Sequence, residues 1–460
     1  MQKTLAGRGS RAYDRRVSGT SPLPADGTSP AGEPPSGRGP AQPTEDSLDA
    51  LVTVLDHVRL RRARSRSELV RSTGLGRGVV AERVAQLLDR GLLVEGELAP
   101  STGGRPPRRL GFHDDAGHVL VADLGASGVD AAITSMGGRM IAHCAEPARI
   151  DAGPERVLDQ VERLFGEILS SSEARPGRLW GIGIGVPGPV EFRTGRPVSP
   201  PIMPGWDGYP IRERFTERYG VPVWVDNDVN IMALGEMRAG IAVGHSDVVV
   251  IKVGTGIGAG IISEGRIHRG SQGSAGDVGH IQISDDPSVI CRCGNRGCLE
   301  ALAGGAAIAR SGEAAARDGS SVRLAAALEA TGSISAVDVA REAAHGDPVC
   351  MDILQSAGRR VGAMLASVVN FFNPSLIVIG GGVAGSGDHF LAAIREAVYR
   401  RSLPLATRDL DIRRSSLGEL AGVIGASAMV VDQLFSREVL PRWVAAGNPA
   451  GMEVPGTIGT

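Results

Sequence analysis

One ten-residue stretch, Cys291-Arg-Cys293-Gly-Asn-Arg-Gly-Cys298-Leu-Glu300, constrains this chain more than any other. It holds three of the five cysteines, and His280 lies shortly upstream. Thiolate and imidazole are the ligands that a tetrahedral structural zinc prefers, and the intervening glycines let a tight knuckle close around an ion. Disulfide pairing is the alternative. The other two cysteines, Cys144 and Cys350, stand alone, which does not suggest an exported, disulfide-stapled protein. The expected ligand set is therefore His280, Cys291, Cys293 and Cys298 around a structural zinc, in a knuckle spanning residues 280–298.

The chain has 460 residues, enough for two or three domains. Its formal net charge is −2, so any nucleic-acid surface must be local. No apolar run approaches the ~20 residues needed to cross a bilayer. The N-terminus has Lys3 and several arginines but no apolar segment behind them, unlike a secretory signal. The expected setting is soluble and cytoplasmic. Abundant glycine and alanine with few aromatics fit an α/β protein with many tight turns.

Residues 1–45 are rich in Gly, Pro, Ser and Arg without apolar periodicity and read as a disordered tail. Residues 46–112 differ. Leu51, Val54, Leu55 and Val58 recur at helical spacing, a second short helix covers about 67–72, and Thr73-Gly-Leu-Gly76 is a turn. Val79, Val80, Val84, Leu87 and Leu88 mark a third helix ended by Gly91. Two strands follow, around 92–95 and 109–112, joined by the basic tip Ser101-Thr-Gly-Gly-Arg105-Pro-Pro-Arg108-Arg109. This order is that of a winged helix-turn-helix. Arg59, Arg61, Arg62, Arg64, Arg66 and Arg71 crowd one span, and Arg77 and Arg83 sit on the third helix. Such a cluster suits phosphate neutralisation, with the third helix in a major groove and Arg105 and Arg108 of the wing in a flanking minor groove. A protein-binding winged helix is the other reading.

Residues 117–436 form a second unit. Val119–Asp123 is an apolar strand that ends in Asp and a Gly-rich turn containing Gly125 and Ser127, able to hold magnesium or phosphate, or to be an ordinary hairpin. Val223-Trp-Val-Asp-Asn227-Asp228-Val-Asn230 delivers Asn and Asp to a strand end, where α/β sites sit. There Asp228 can accept a proton from a hydroxyl and Asn227 can bind its neighbour, or either can simply cap a helix. The loop Gly254-Thr255-Gly256-Ile-Gly258 follows a strand and leaves backbone amides open to phosphate, without a Walker lysine after it. Gly380-Gly381-Gly382 closes a later βα unit. Residues 437–460 are Gly/Pro-rich and read as a flexible tail.

The cysteine pattern preceded by Gly-His, the VDNDVN run, the GTGIGAG loop and the STGGRPP wing together resemble the ROK family of repressors, open reading frames and sugar kinases. The resemblance covers about 46–436. It implies an α/β body of the actin-like ATPase and sugar-kinase (RNase H-like) fold, two-lobed, behind a winged helix-turn-helix. It implies sugar contacts at Asn227, Asp228, Asp277, His280 and Glu300, and Asp228 as the general base of a kinase. Phosphate or ATP contacts would come from Asp123, Gly125, Ser127, Gly254, Thr255, Gly256, Gly258, Gly381 and Gly382. Two departures stand out. Ala126-Ser127-Gly128 replaces the Gly-Thr-Lys or Gly-Thr-Asn of family kinases, and Asp277 replaces a Glu. The function implied is a sugar-responsive DNA-binding regulator, a dimer or higher oligomer on operator DNA, with a sugar or sugar phosphate as ligand. The alternative is an ATP- and magnesium-dependent sugar kinase with an appended head.

Overall fold

A computed structural model describes residues 45–98, 108–171, 176–385 and 388–455. The expected tail before residue 45 and the wing tip with Arg105 lie outside these residues. Residues 44–460 form one compact unit.

The chain opens with α1 (Glu45–Arg59), α2 (Arg66–Thr73) and α3 (Arg77–Asp89), followed by an antiparallel ribbon of β1 (Leu93–Leu98) and β2 (Arg108–Phe112). Ser65 caps α2 by accepting the Glu68 N–H, and Gly74 ends it in the left-handed region. The apolar stripe Leu51, Val54, Leu55 and Val58 meets Leu69, Val80, Val84 and Leu87, all buried. This is the stripe that the helical spacing predicts.

The body repeats one sheet plan twice. Its first lobe runs β3 (His118–Leu124), β4 (Gly128–Ser135), β5 (Met140–Pro147), α4 (Pro154–Ser171), β6 (Leu179–Val186), the small ribbon β7 (Val190–Glu191) and β8 (Arg196–Pro197), α5 (Ile211–Tyr219) and β9 (Val223–Asn227). After α6 (Asp228–Ala239), the second lobe runs β10 (Val248–Val253), β11 (Ile257–Ser263), β12 (Arg266–His268), α7 (Leu299–Ala303), α8 (Gly305–Arg317), α9 (Val322–Thr331), α10 (Ala336–Ala344), α11 (Pro348–Phe372), β13 (Leu376–Gly380), α12 (Asp388–Arg401), α13 (Pro404–Thr407) and β14 (Asp411–Arg414). The sheet orders are β5-β4-β3-β6-β9 and β12-β11-β10-β13-β14. In each, a hairpin pair runs antiparallel and two strands add in parallel. The parallel strands β6 and β13 are apolar along their length because both faces are covered.

Helix α14 (Leu420–Leu434) returns to the first lobe and crosses α6 at backbone contact. A Cβ on Gly425 would stand 1.6 Å from the Ile231 carbonyl oxygen, and one on Gly235 would stand 2.1 Å from that of Ala421. Only glycine permits this approach.

The end of the chain departs from expectation. Residues 437–455 are not a loose tail: α15 (Leu440–Trp443) places Trp443 in the core, 1% exposed. Its Nε1 donates to the Leu434 carbonyl at 2.9 Å, and its ring meets Trp180 and Phe435. Phe435 in turn packs edge-on against Phe112 of β2. One apolar cluster thus runs from Leu51 and Val84 in the head through α14 to Trp443 and Val454. Glycine and proline content misled the reading, because one large aromatic outweighs several turn formers in burial. No helix among the described residues is long and apolar enough to cross a membrane.

Replacing Trp443 by Ala should cost about 3–5 kcal/mol of folding stability, read from the urea midpoint at unchanged slope. A loss below about 1 kcal/mol would show that the segment contributes little.

Candidate functional site

The strand ends of both lobes and the N-terminus of α6 face a cavity of about 250 Å³. Asn227, Asp228, Asp277, His280 and Glu300 all line it, as do Gly125, Ser127, Gly254, Thr255, Gly256 and Gly258. Residues separated by 175 positions in sequence are therefore brought to one wall and its opposite. Asp123, Gly381 and Gly382 are not among the lining residues. Asp123 lies on β3 opposite Asp130, and Gly381 packs against the Val253 backbone.

Asn227 does two things at once. Its Oδ1 caps α6, accepting the Val229 and Asn230 N–H groups at 2.9 and 3.3 Å. Its Nδ2 donates to the Gly188 carbonyl and to Asp228 Oδ1, both at 3.1 Å. Asp226, just before it, is buried and accepts from Asn230 Nδ2 at 2.9 Å and from the Arg269 guanidinium at 2.7 Å. That guanidinium lies 3.8 Å from the Phe192 ring centroid. This pair ties the loop after β12 to β9 beneath the cavity and orients the Asn227–Asp228 turn.

Glu300 is the first-turn acid of α7 and accepts the Ile257 N–H at 3.1 Å. A Cβ on Gly256 would meet its Oε2 at 2.2 Å, so the glycine loop is what lets this carboxylate reach β11. The carbonyls of Gly254 and Thr255 accept the Gly305 and Ala306 N–H groups of α8, at 2.8 and 3.1 Å.

His280, Cys291, Cys293 and Cys298 converge, with their ligand atoms all within 4.8 Å of one another. Tetrahedral zinc, with bonds of about 2.3 Å to sulfur and about 2.0 Å to imidazole, implies edges of about 3.8 Å between sulfurs and about 3.5 Å from sulfur to nitrogen. Cys293 Sγ and Cys298 Sγ are 3.8 Å apart, and Cys291 Sγ is 3.5 Å from His280 Nδ1. The donor set fits the ion. Burial, with the neighbouring thiols, pushes Cys298 up to about 12, a cost that a bound dication reverses. His280 Nε2 points the other way, 3.8 Å from Asp277 Oδ1 at the cavity wall.

Sequence reading missed Lys252. It lies on β10, lines the cavity, and its Nζ donates to Asp228 Oδ2 at 2.8 Å. Burial works against the ammonium, but the Asp228 and Asp123 carboxylates outweigh it and hold Lys252 above the ordinary lysine value. A lysine inside the apolar run Val-Val-Val-Ile-Lys-Val was the available signal, because a buried charge must be paired. Asp123 carries the opposite strain. Burial raises its carboxyl to about 6 despite Lys252, and its Oδ1 has no partner. A magnesium ion at Asp228 would have to compete with the Lys252 ammonium, which already holds its Oδ2.

In the head, the arginines divide. Arg77 opens α3 and is exposed, and Arg108 is exposed with a 3.7 Å contact to Glu95. Arg83 differs from expectation. Its side chain is 11% exposed and held by Gln86 at 2.6 Å and Glu82 at 3.2 Å. Arg59 leaves the basic cluster altogether. At 7% exposed it bonds Asp56 and, at 2.7 Å, Asp432 of α14. Arg59 reaches an acceptor on a packed neighbouring helix, whereas Arg83 is held by acceptors of its own helix.

The sequence profile of the ROK family matches residues 111–433. The chain is 31% identical over 393 residues to the xylose repressor of Caldicellulosiruptor bescii, covering 85% of this chain and 96% of that one. It is 32% identical over 316 residues to the glucokinase of Halalkalibacterium halodurans, covering 69% and 96%. A solved ROK-family transcriptional regulator, described as a homologue of the E. coli MLC protein, superposes with a TM-score of 0.74 at 27% identity, covering 87% of this chain and 100% of that one.

Two outcomes follow from this geometry. Purified protein should carry about one zinc per chain, and Cys293→Ser should lower it at least about twofold. Unchanged metal content in the variant excludes this ligand set. The folded-state pKa of Asp123 lies above its unfolded value of 3.8, so its ionised form is a cost. That cost is present above pH 6 and relieved as the pH falls through 6 towards 4. In magnesium-free buffer, stability should gain about 1–3 kcal/mol over that window, and Asp123→Asn should lose the gain. Parallel pH profiles for the two proteins would contradict it.

Proposed function

The chain belongs to the ROK family, and on that footing we propose that it is a sugar-responsive transcriptional repressor acting in the cytoplasm. One observation carries the reading: the basic three-helix head shares one apolar cluster with Ile231 and Leu234 of α6, the helix whose start lines a sugar-sized cleft. The likeness to the xylose repressor supports it, since 393 aligned residues exceed what the body of 117–436 holds and must extend into the head. The likeness to a glucokinase spans only a body-sized length.

In this reading the sugar lies against Asn227, Asp228, Asp277 and Glu300, whose carboxylates and amide accept and donate to adjacent hydroxyls. His280, Cys291, Cys293 and Cys298 would hold a structural zinc, and His280, with Nδ1 on the thiol side, would keep Nε2 for the ligand. The head grips operator DNA, with α3 in the major groove, Arg77 and Arg108 on phosphates, and Arg105 in the wing between β1 and β2. Two heads on a near-palindromic site make a homodimer the working form.

Helix α6 is the connection. Its 12 residues span about 18 Å. Asn227 and Asp228 stand at its start in the cleft, and Arg238 in its last turn bonds Asp432 Oδ1 at 2.6 Å. The same oxygen accepts from Arg59, the last residue of α1, at 2.7 Å. Burial alone would raise the Asp432 carboxyl, but Arg238 and Arg59 outweigh it and hold it below the usual range. A sugar that favours one lobe closure moves α6, and the Arg238–Asp432–Arg59 clasp passes the shift to the head.

A mobility-shift assay on the DNA upstream of the protein's own reading frame, with and without D-xylose, D-glucose and related sugars, tests this. One neutral sugar should change operator affinity by about tenfold or more. Asp432→Asn should keep sugar binding and DNA binding separately while the coupling drops to about twofold or less. Absence of sequence-specific binding at low salt, or of any sugar response, refutes the proposal.

A further inference from the structure

This chain contains 47 arginines and two lysines, Lys3 and Lys252. Arginine is its default cation, yet at the cleft wall it keeps a lysine. The two differ in form: guanidinium is a broad fork, whereas ammonium is a compact point charge with three donors. A place that takes only the second is a place for a small cation.

The neighbours of Lys252 describe such a place. Its Nζ donates to Asp228 Oδ2, while Asp228 Oδ1 is occupied by Asn227 Nδ2. Asp123 and Asp130, on the facing hairpin β3–β4, add their attraction. Lys252 itself lies in register between Gly258 of β11 and Gly380 of β13, two residues without side chains of their own. Asp123 presents an unpartnered buried oxygen to the same region. Magnesium demands near-octahedral geometry, with several retained waters and one or two carboxylates. An ammonium anchored on Asp228 leaves neither the charge nor the room for that shell.

We infer that Lys252 is the built-in cation of the cleft, standing where a dication would bridge Asp228 and a nucleotide phosphate, so that the cleft takes an uncharged sugar alone. This rests on the sugar-sensor reading and deepens it. The charge count sets the ligand class. The lining carries the carboxylates Asp228, Asp277 and Glu300 against one ammonium, and that ammonium is committed to Asp228. Neutral hydroxyls suit these acceptors, whereas a sugar phosphate would bring two further negative charges to a wall whose lysine is paired with Asp228 and whose neighbouring Arg292 lies 3.5 Å from Glu300. Binding then ends the event: the sugar is retained as a signal, and no phosphoryl group is transferred to it.

The test uses zinc-loaded full-length protein. Mn2+ binding is followed by the loss of its free EPR signal, and D-xylose, D-glucose and glucose 6-phosphate are titrated by calorimetry with and without millimolar Mg2+. Wild type and Asp228→Asn should bind Mn2+ alike, neutral-sugar affinity should not respond to Mg2+, and glucose 6-phosphate should bind at least about tenfold more weakly than the neutral sugar. Lys252→Thr should gain an Mn2+ site that adding Asp228→Asn removes. Lys252 is not the built-in cation if wild type holds Mn2+ about tenfold more tightly than Asp228→Asn, if the folded Lys252→Thr gains no site, or if ADP is released with ATP and sugar. The ligand class is overturned if glucose 6-phosphate binds as well as the neutral sugar. Should Lys252→Thr not fold, the comparison of wild type with Asp228→Asn decides. Failure of every sugar to bind overturns the sugar-sensor reading instead, and the Mn2+ result still judges Lys252.

Discussion

The structure depends on the crossing of α6 and α14. Gly235 and Gly425 bring the two helices to backbone contact, and a methyl group at either position would collide with a carbonyl oxygen. The pair lies between two sheets of the same plan, so each lobe packs one of its faces on the crossing. Because α6 starts at Asp228 and Phe435 directly follows α14, the crossing also joins the cleft-lining Asn227–Asp228 turn to the aromatic cluster under the head. A close-packed contact of this kind transmits displacement well, since it has few intermediate arrangements.

Electrostatics in the cleft follow from burial. Several buried charges are matched: Asp226 with Arg269 and Asp228 with Lys252 at the cavity, and Asp432 with Arg59 and Arg238 at the far end of α6. Asp123 is the exception, and its carboxyl is raised to about 6. Matched buried pairs add little net stability, but removing one partner is costly, so they specify geometry more than they stabilise it. This is why the Asn227–Asp228 turn is held by an arginine stacked on Phe192 from another part of the chain. Within the family, a body of this fold serves kinases and regulators alike. Next to Asp228 this chain places the Lys252 ammonium, and the proposal of a sensor without phosphoryl transfer rests on that contact.

Several parts were legible in the sequence because their signals are local. Thiols and a histidine at knuckle spacing announced a metal site, and the donor atoms do meet at tetrahedral distances. Helical spacing of Leu51, Val54, Leu55 and Val58 announced the buried stripe of the head. Asn227 and Asp228 at a strand end announced the cleft. Other parts had no local signal. Trp443 sits among glycines and prolines that suggested a loose end, and its burial comes from Trp180 and Phe435. Arg59 and Arg83 read as members of a basic face, and only their neighbours show that they are turned inward.

The sequence by itself determined which residues line the cleft and which donor atoms converge, because donor chemistry and chain spacing restrict what a short segment can do. Apolar strands ending in glycine loops signalled an α/β body, and its two lobes came from the resemblance to the ROK family. Only the tertiary structure decided the charge state and reach of the cleft. Lys252 is an ordinary letter in a strand until β10 is laid beside the start of α6, and its ammonium then sets what Asp228 can hold. The physical reason is range: periodicity and motifs act over a few residues, whereas a buried charge is governed by whatever folding brings within a few ångströms of it.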